Sequence, residues 1–382
     1  GTQTVIINLD SAVDDDTVAI SLQPDGIEDL NGNTQINGSV SAFRMDGVAP
    51  TLADASKVDA TTVEVNIFDG GSGIDKASID QSDFTLTTGT ISSIDTSGVS
   101  DGATGTQTVT LNLDAPVDTS TLSVGLYSDG IDDKNGNTLS SGSTSVSGMD
   151  GVAPTLDGAS KIDDTTIQVT LTDGVDIDEK TIDSSDFSLN TGSISYITPA
   201  ESESNTSVTL KLASKIDADT VDVSIVGSIE DINGNSLTAG TQTVSDIDGV
   251  APTLDRASSV DTTTIRVDIS DGGSGIDKAS IDPGDFILSS GSISEIDTSG
   301  VTDGAPGRQT VIIHLESPVD ADSVSVSLQS DGIDDKNGNA QTSGSASALS
   351  MDGVAPTLND TSKIDDTTIQ VTFTDGVDVD ET

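Results

Sequence analysis

The sequence predicts an all-β chain made of similar domains in tandem. The phrase Asp-Gly-Val-Ala-Pro-Thr-Leu occurs four times, and its aspartates, at residues 46, 150, 248 and 352, are spaced 104, 98 and 104 residues apart. A period near one hundred residues matches a small independent domain, whereas solenoid and propeller units have roughly 20–50 residues. Within each period apolar residues alternate with polar ones, and no segment shows the 3.6-residue period of a helix.

Strict alternation marks three strands of each repeat, as is typical of antiparallel sheets with one packed and one solvated face. Asp, Gly, Asn and Ser separate these strands as turn residues. The apolar positions of the first complete repeat are Val63, Val65 and Ile67, then Val109, Leu111 and Leu113, then Leu122, Val124 and Leu126, and the second group has an equivalent in Val5, Ile7 and Leu9.

One aromatic residue per complete repeat, Phe84, Phe187 or Phe286, follows an aspartate and is expected in the core. About seven strands in about 100 residues predict a two-sheet β-sandwich of immunoglobulin-like architecture. We therefore expect beads on a string: the C-terminal part of such a domain at 1–45, complete domains at 46–149, 150–247 (a shorter kind) and 248–351, and the N-terminal part of another at 352–382.

The chain begins and ends within a repeat, so we expect it to be a segment of a longer repetitive polypeptide. Completion of the two partial domains between neighbouring molecules is the alternative, although together they are shorter than one repeat. The repeats are of two kinds. After the second strand, 46–149 and 248–351 carry Asp-Gly-Gly-Ser-Gly-Ile-Asp-Lys, whereas 150–247 and 352–382 carry the shorter Asp-Gly-Val-Asp-(Ile/Val)-Asp-Glu.

The composition is extremely acidic, with 65 acidic against 14 basic residues and a formal net charge of −51. Such a charge argues against nucleic acid and anionic membrane surfaces as partners, and no apolar run is long enough to cross a bilayer. It opposes compaction unless cations balance it, so we expect either molar salt, as in a halophilic source, or bound calcium. Regular apolar patterning excludes disorder. The chain contains no cysteine, which excludes disulfides.

Three motifs of each complete repeat resemble prokaryotic Ig-like domains, which are found in S-layer proteins and giant surface adhesins. They are the opening Asp-Gly-Val-Ala-Pro-Thr-Leu, the central Asp-Phe-(Thr/Ser/Ile)-Leu and the Asp-x-Asn-Gly-Asn before the last strand. The resemblance covers essentially the whole chain. It implies an extracellular, cell-surface location, and it implies calcium between or within domains, as is common in that family.

Topology supplies candidate calcium ligands, because the B–C and F–G loops of such a sandwich lie at the pole where the chain enters the domain. Calcium takes six to eight oxygen ligands, and converging carboxylates repel each other without a cation. We expect calcium at or beside each inter-domain junction, held by residues from three clusters per domain. The candidates are Asp46, Asp69, Asp75, Asp129, Asp132, Asp133 and Asn135; Asp150, Asp173, Asp176, Asp178, Glu230, Asp231 and Asn233; and Asp248, Asp271, Asp277, Asp331, Asp334, Asp335 and Asn337.

Two other interpretations of these acids stay open. Asp, Asn and Gly are turn formers, Asn-Gly favours hairpins, and the Asp-x-Asn-Gly-Asn motif does not follow the EF-hand spacing. The acids can also attract cations without specific sites. Lys134 and Lys336 would weaken a site within two of the loops.

No enzymatic chemistry is indicated. The single histidine, His314, replaces Asn8 and Asn112 on the polar face of its strand. Two classes of function remain. One is a structural protein of an extracellular filament, sheath or S-layer-like coat, whose partners are copies of itself or neighbouring surface proteins. The other is the extender of a large adhesin whose ligand-binding tip lies elsewhere.

Overall fold

The computed structural model describes residues 1–200 and 205–379 and consists almost entirely of β-strands. No helix among these residues has both the length and the apolar character needed to cross a membrane. The strands are β1 (Thr17–Leu22), β2 (Gly38–Phe43), β3 (Thr51–Asp59), β4 (Thr62–Asp69), β5 (Phe84–Leu86), β6 (Ile91–Asp95), β7 (Gly105–Leu113), β8 (Thr121–Leu126), β9 (Gly142–Ser147), β10 (Thr155–Asp163), β11 (Thr166–Thr172), β12 (Phe187–Leu189), β13 (Ile194–Ala200), β14 (Asn205–Leu212), β15 (Thr220–Ile225), β16 (Ile229–Glu230), β17 (Ser236–Leu237), β18 (Gly240–Ser245), β19 (Thr253–Asp261), β20 (Thr264–Asp271), β21 (Phe286–Leu288), β22 (Ile293–Asp297), β23 (Gly307–Leu315), β24 (Ser323–Leu328), β25 (Gly344–Leu349), β26 (Thr357–Lys363) and β27 (Ile369–Thr374).

The first complete domain is a sandwich of two antiparallel sheets. One has the order β3-β4-β7-β6 and the other β5-β8-β9. Lettered A to G along the chain, these sheets are A-B-E-D and C-F-G, the arrangement of immunoglobulin constant-type domains. The second domain repeats it as β10-β11-β14-β13 and β12-β15-β18, and the third as β19-β20-β23-β22 and β21-β24-β25. The predicted fold class, tandem immunoglobulin-like sandwiches, is confirmed.

Alternation determines which side chains form each core. Val63, Val65 and Ile67 are fully buried, and Val65 lies opposite Val109 of the neighbouring strand. The described residues contain three separate hydrophobic clusters, within 63–149, 167–247 and 257–351. Full burial of one such side chain contributes roughly 1.5–3 kcal/mol, so each domain has its own apolar source of stability.

The aromatic core residues are positioned by a local hydrogen-bond motif. A 3₁₀ turn, Gln81–Asp83, precedes β5, and Asp80 and Asp83 form a capping box around it. The Asp83 carboxylate accepts the Asp80 N–H at 2.7 Å, and the Asp80 carboxylate accepts the Ser82 N–H at 2.7 Å. Phe84 follows at once and is 5% exposed. The same turn precedes Phe187 and Phe286, so the expectation that these rings lie in the cores is confirmed.

The third domain carries one charged network on its four-stranded sheet. Asp268 is fully buried and accepts hydrogen bonds from Arg256 at 2.7 Å, Arg266 at 2.9 Å and Thr310 at 2.9 Å. The equivalent position in the first domain is Asn66, which bonds neutral and acidic neighbours instead.

The segment before the first complete domain differs from expectation. Strands β1 and β2 pair with each other, but Val5, Ile7 and Leu9 lie outside any strand and are exposed. The prediction of a strand here is wrong for this structure. In a complete domain the equivalent strand, β7, pairs with β4 on one side and β6 on the other, and residues 1–45 contain no counterpart of either.

Candidate metal centres at the domain joints

Each Asp-Gly-Val-Ala-Pro-Thr-Leu linker is hydrogen-bonded to the domain before it. Its aspartate forms a parallel bridge with an apolar residue of that domain, and its glycine N–H donates to the same residue's carbonyl at 3.0 Å. The residue preceding the linker, Met149 or Ile247 for example, is fully buried in the upstream core. The bridges are Val13 with Asp46, Val117 with Asp150, Ile216 with Asp248, and Val319 with Asp352.

The linker glycine is held in a tight contact. A Cβ on Gly151 would lie 2.5 Å from the Ala60 Cβ at the tip of the β3–β4 hairpin and 3.0 Å from the Pro116 Cβ. The equivalent Gly353 meets Thr262 and Pro318 in the same way. In the linkers of Asp150, Asp248 and Asp352, only glycine fits this position without displacing the upstream domain.

The side chain of the linker aspartate turns to the domain that follows. Asp46 accepts hydrogen bonds from Val48 N at 3.0 Å and from Ser72 N, in the downstream B–C loop, at 2.8 Å. Asp248 does the same with Val250 N and with both the backbone and the hydroxyl of Ser274. The linker aspartate therefore joins two domains, by its backbone to one and by its carboxylate to the other.

Carboxylates from both domains converge around this aspartate. In three joints, one carboxylate oxygen from each of three aspartates lies within 4.8 Å of the others. We name these sets the joint clusters: Asp14, Asp46 and Asp69; Asp150, Asp173 and Asp231; and Asp217, Asp248 and Asp271. Asp14 and Asp217 belong to the upstream domain, so the first and third clusters contain ligands from both sides of the joint.

The joint clusters contain carboxylate oxygens that are buried without partners. Asp69 is 2% exposed and Asp271 4%, yet Oδ1 of each accepts no hydrogen bond from any described residue. Neither oxygen of Asp173 has a partner within the described part of the chain. A buried, unpaired carboxylate is costly, because its charge has lost water and gained nothing in exchange.

The electrostatics of the clusters agree with this geometry. Burial raises the pKa of Asp173 to about 7, and the negative charges of Asp118, Asp150 and Asp231 add to the increase. The Val175 N–H opposes this increase in pKa, but its contribution is the smallest because it lies outside hydrogen-bond geometry. Burial likewise raises the pKa of Asp271 to about 6, although Gly275 N–H opposes the shift. Burial also raises the pKa of Asp69.

The F–G loop closes each cluster from the downstream side. Asp133 is 2% exposed and accepts the N–H groups of Asn135 and Asn137, both at 2.8 Å. The amide of Asn137 then donates to the backbone carbonyl of Asp46 at 3.2 Å, and that of Asn135 reaches both this carbonyl and Asp16 of the upstream domain. Asn337 donates to the backbone carbonyl of Asp248 in the same way, whereas Asn233 donates to the carboxylate of Asp150. The Asp-x-Asn-Gly-Asn motif thus fastens the F–G loop to the linker.

The structure therefore brings together eleven sequence-predicted residues: Asp46, Asp69, Asp133, Asn135, Asp150, Asp173, Asp231, Asn233, Asp248, Asp271 and Asp335, with Asn337 beside them. The others lie elsewhere. Asp75 and Asp277 cap 3₁₀ turns and pair with Lys134 and Lys336 at 2.8 and 2.9 Å, and Asp178 caps the equivalent turn. Asp129 and Asp331 occupy left-handed turn positions, Asp132, Asp334 and Glu230 contribute backbone groups to a bridge between loops, and Asp176 is exposed.

Sequence reasoning missed the upstream partners. Asp14, Asp118, Asp217 and Asp320 follow the residue that bridges to the linker, and Gly70, Gly174, Gly272 and Gly376 of the downstream loop pack directly against them. The sequence nevertheless contains a regular spacing that marks these upstream acids. Each of these acids stands 31 or 32 positions before a linker aspartate, directly after Val or Ile.

The donor set suits a hard divalent cation. All donors are oxygens, and oxygens bound to one calcium at 2.3–2.6 Å lie no more than about 5 Å apart, which the separations within the joint clusters satisfy. Two like charges 4 to 5 Å apart repel by about 3 to 4 kcal/mol at an effective dielectric constant near 20. A cation would remove that repulsion and give the orphaned oxygens a partner.

No family model matches the chain. Among curated proteins, halomucin of Haloquadratum walsbyi is 31% identical over an alignment of 339 positions that covers 84% of this chain but 4% of that relative. The chain is thus similar to a short stretch of a far longer protein.

The solved structures that match the chain have low similarity to it. The Escherichia coli adhesin FdeC aligns with 79% of this chain and 96% of its own, at 14% identity and a TM-score of 0.37. The N-terminal part of the bacterial S-layer protein SbsC aligns with 52% of this chain and 45% of its own, at 20% identity and a TM-score of 0.22. The fold class rests on the strand order of each domain and not on these likenesses.

Proposed function

We propose that the chain is a non-enzymatic, extracellular segment of a cell-surface protein, and that its sandwiches form a filament, sheath or S-layer-like coat with joints stiffened by calcium. The observation that carries this proposal is the joint itself, where carboxylates converge around one linker aspartate and Asp69, Asp173 and Asp271 of the downstream loops have buried oxygens without a partner among the described residues. The similarity to part of halomucin supports a surface location.

In the joints of Asp46 and Asp248, calcium would act as a clamp because its ligands come from both domains. In the third joint Asp217 lies upstream, Asp271 lies downstream and Asp248 is the linker between them. Bending the joint would pull a carboxylate off the ion and restore the repulsion between bare charges. Calcium is preferred to magnesium because it accepts irregular sets of six to eight oxygens, whereas magnesium requires a small regular octahedron and keeps its waters.

The net charge of −51 determines how such rods can associate. Bare rods repel each other side by side, so lateral assembly into a coat requires salt or bound calcium. The same charge favours a second function, the soluble extender of an adhesin. Electron microscopy of the parent material in calcium separates the two: bundles or sheets indicate the coat, and single rods indicate the extender.

The test of the clamp uses the full 382-residue chain. Calorimetric titration with calcium chloride should show saturable binding, and small-angle scattering should show a longer, stiffer particle in calcium than in chelator. Magnesium at the same concentration should do less.

Asp217→Asn should weaken binding and loosen the rod. Asp331→Asn is the matched control, because it removes the same charge from an exposed left-handed turn position that asparagine tolerates. Absence of heat with calcium, together with identical scattering in calcium and chelator, would contradict the proposal.

A further inference from the structure

The chain has two kinds of joint, which we name by the downstream B–C loop. The Gly-Gly joints are those of Asp46 and Asp248, whose loops read Asp-Gly-Gly-Ser-Gly. The Gly-Val joints are those of Asp150 and Asp352, whose loops read Asp-Gly-Val-Asp. The two kinds alternate along the sequence, and they differ in how the cluster carboxylates are hydrogen-bonded.

The loop of a Gly-Gly joint supplies fixed backbone donors to its own acids. Ser72 N donates to Asp46 at 2.8 Å and Gly73 N to Asp69 at 2.6 Å. This requires the chain to pass so close that a Cβ on Gly71 would lie 2.3 Å from the carboxylate carbon of Asp46. The third joint has the same two donors, Ser274 N at 2.8 Å and Gly275 N at 2.7 Å.

The Gly-Val joint of Asp150 lacks both donors. Asp173 accepts nothing through either oxygen from the described residues. The carboxylate of Asp150 is instead met by the side-chain amides of Asn233 at 3.0 Å and Asn235 at 2.9 Å. In the Gly-Gly joints the equivalent amides donate to the linker's backbone carbonyl and leave its carboxylate to the loop.

This difference in hydrogen bonding changes how much free energy a bound cation gains from the carboxylates. Backbone N–H groups cannot turn away, so in a Gly-Gly joint they already balance part of the negative charge and continue to occupy lone pairs of the ligands. Side-chain amides can rotate, and after such a rotation the amide oxygens of Asn233 and Asn235 would serve as additional ligands. The free oxygens of Asp173 have no competing donor among the described residues.

We propose that the Gly-Val joint of Asp150 binds calcium more tightly than the Gly-Gly joints, by about tenfold or more, so that intermediate calcium fills this joint before the others. This inference rests on the proposed calcium clamp. Titrations belong at about pH 8, where protons compete little with calcium for the carboxylates.

The test is hydrogen exchange with mass-spectrometric detection on the full chain over a calcium series. Peptides containing Asp150 and Asp173 should become protected at a calcium concentration about tenfold lower than peptides containing Asp248 and Asp271. Asp173→Asn should abolish the first protection and leave the second, and Asp271→Asn should do the reverse.

The outcomes separate the inference from the proposal beneath it. Protection of both joints at the same calcium concentration, or of the Asp248 joint first, overturns the two-class inference while calcium clamping stands. Protection of neither joint overturns both. The wild-type series alone decides the order, so a variant that fails to fold does not leave the question open.

Discussion

Replacing Gly151 with alanine should loosen the joint between the first two complete domains. The new methyl group would stand 2.5 Å from the Ala60 Cβ and 3.0 Å from the Pro116 Cβ. Neither neighbour is the mobile end of a long side chain. Ala60 occupies the turn of a hairpin paired along its length, and Pro116 precedes the buried Val117. The linker must therefore move away from the upstream domain.

This movement of the linker weakens a backbone hydrogen bond whose opening can be measured by hydrogen exchange. The amide of residue 151 donates to the Val117 carbonyl at 3.0 Å, and it is still present in the alanine variant. Overpacking of this kind costs about 1–3 kcal/mol. Since about 1.4 kcal/mol is a factor of ten, the opening that exposes this amide should become about 5- to 150-fold more frequent.

Hydrogen exchange of the peptide covering 149–155 measures this opening. Gly158→Ala is the control, because a Cβ added there would have no heavy atom within 4 Å and the substitution restricts the unfolded chain in the same way. Exchange should accelerate for Gly151→Ala and stay unchanged for Gly158→Ala. Equal exchange in the wild type and both variants would refute the claim that steric contact holds the linker.

Three further outcomes are expected. Asp268→Asn, which imitates the natural Asn66, should lower the free energy of unfolding of the third domain by about 1–3 kcal/mol at pH 7, measured by calorimetry. Burial raises the pKa of Asp268, but hydrogen bonds from its two arginine partners outweigh it and the net pKa is lowered. Its stabilisation is therefore present above the unfolded-state value of about 3.9 and lost as pH falls through the lower folded value, so wild type and variant should converge in acid. Phe187→Ala should cost about 3–5 kcal/mol. It should accelerate hydrogen exchange within 166–247 but not within 62–149, where an equal acceleration would argue against separate cores. Asp75→Asn should leave calcium binding unchanged while Asp69→Asn weakens it, and the reverse result in calorimetric titration would move the site into the outer part of the loop.

Much of the fold follows from local pattern alone. Burial in a strand has the period of the pleat, so the alternation at Val63, Val65 and Ile67 specified both the strand and its inward face. The strand predicted at Val5–Leu9 shows the limit of that argument. Alternation states which face a strand would bury, but a strand forms only where neighbours pair with it, and pairing is a property of distant sequence.

The candidate site was predictable in part for the same reason. Topology places the B–C and F–G loops beside the linker, which leads to Asp46, Asp69 and Asp133. Topology alone does not distinguish a carboxylate that enters the cluster from one that caps a turn, as Asp75 does, because both kinds lie in Asp-Gly loops of similar composition. Asp14 and Asp118 were missed because they belong to the preceding domain, and reasoning within one repeat does not look across its boundary.

The joints also account for the constancy of the linker while the domains differ in length. A loop within a domain contacts only that domain, so the B–C loop can shorten from Asp-Gly-Gly-Ser-Gly to Asp-Gly-Val-Asp and still return the chain to its sheet. Linker residues contact two domains. The aspartate bonds upstream by its backbone and downstream by its carboxylate, the glycine is pressed against the upstream hairpin, and the proline is buried at 50, 154 and 252. A change that suits one domain disturbs the other, and the linker sequence is constant along the chain for that reason.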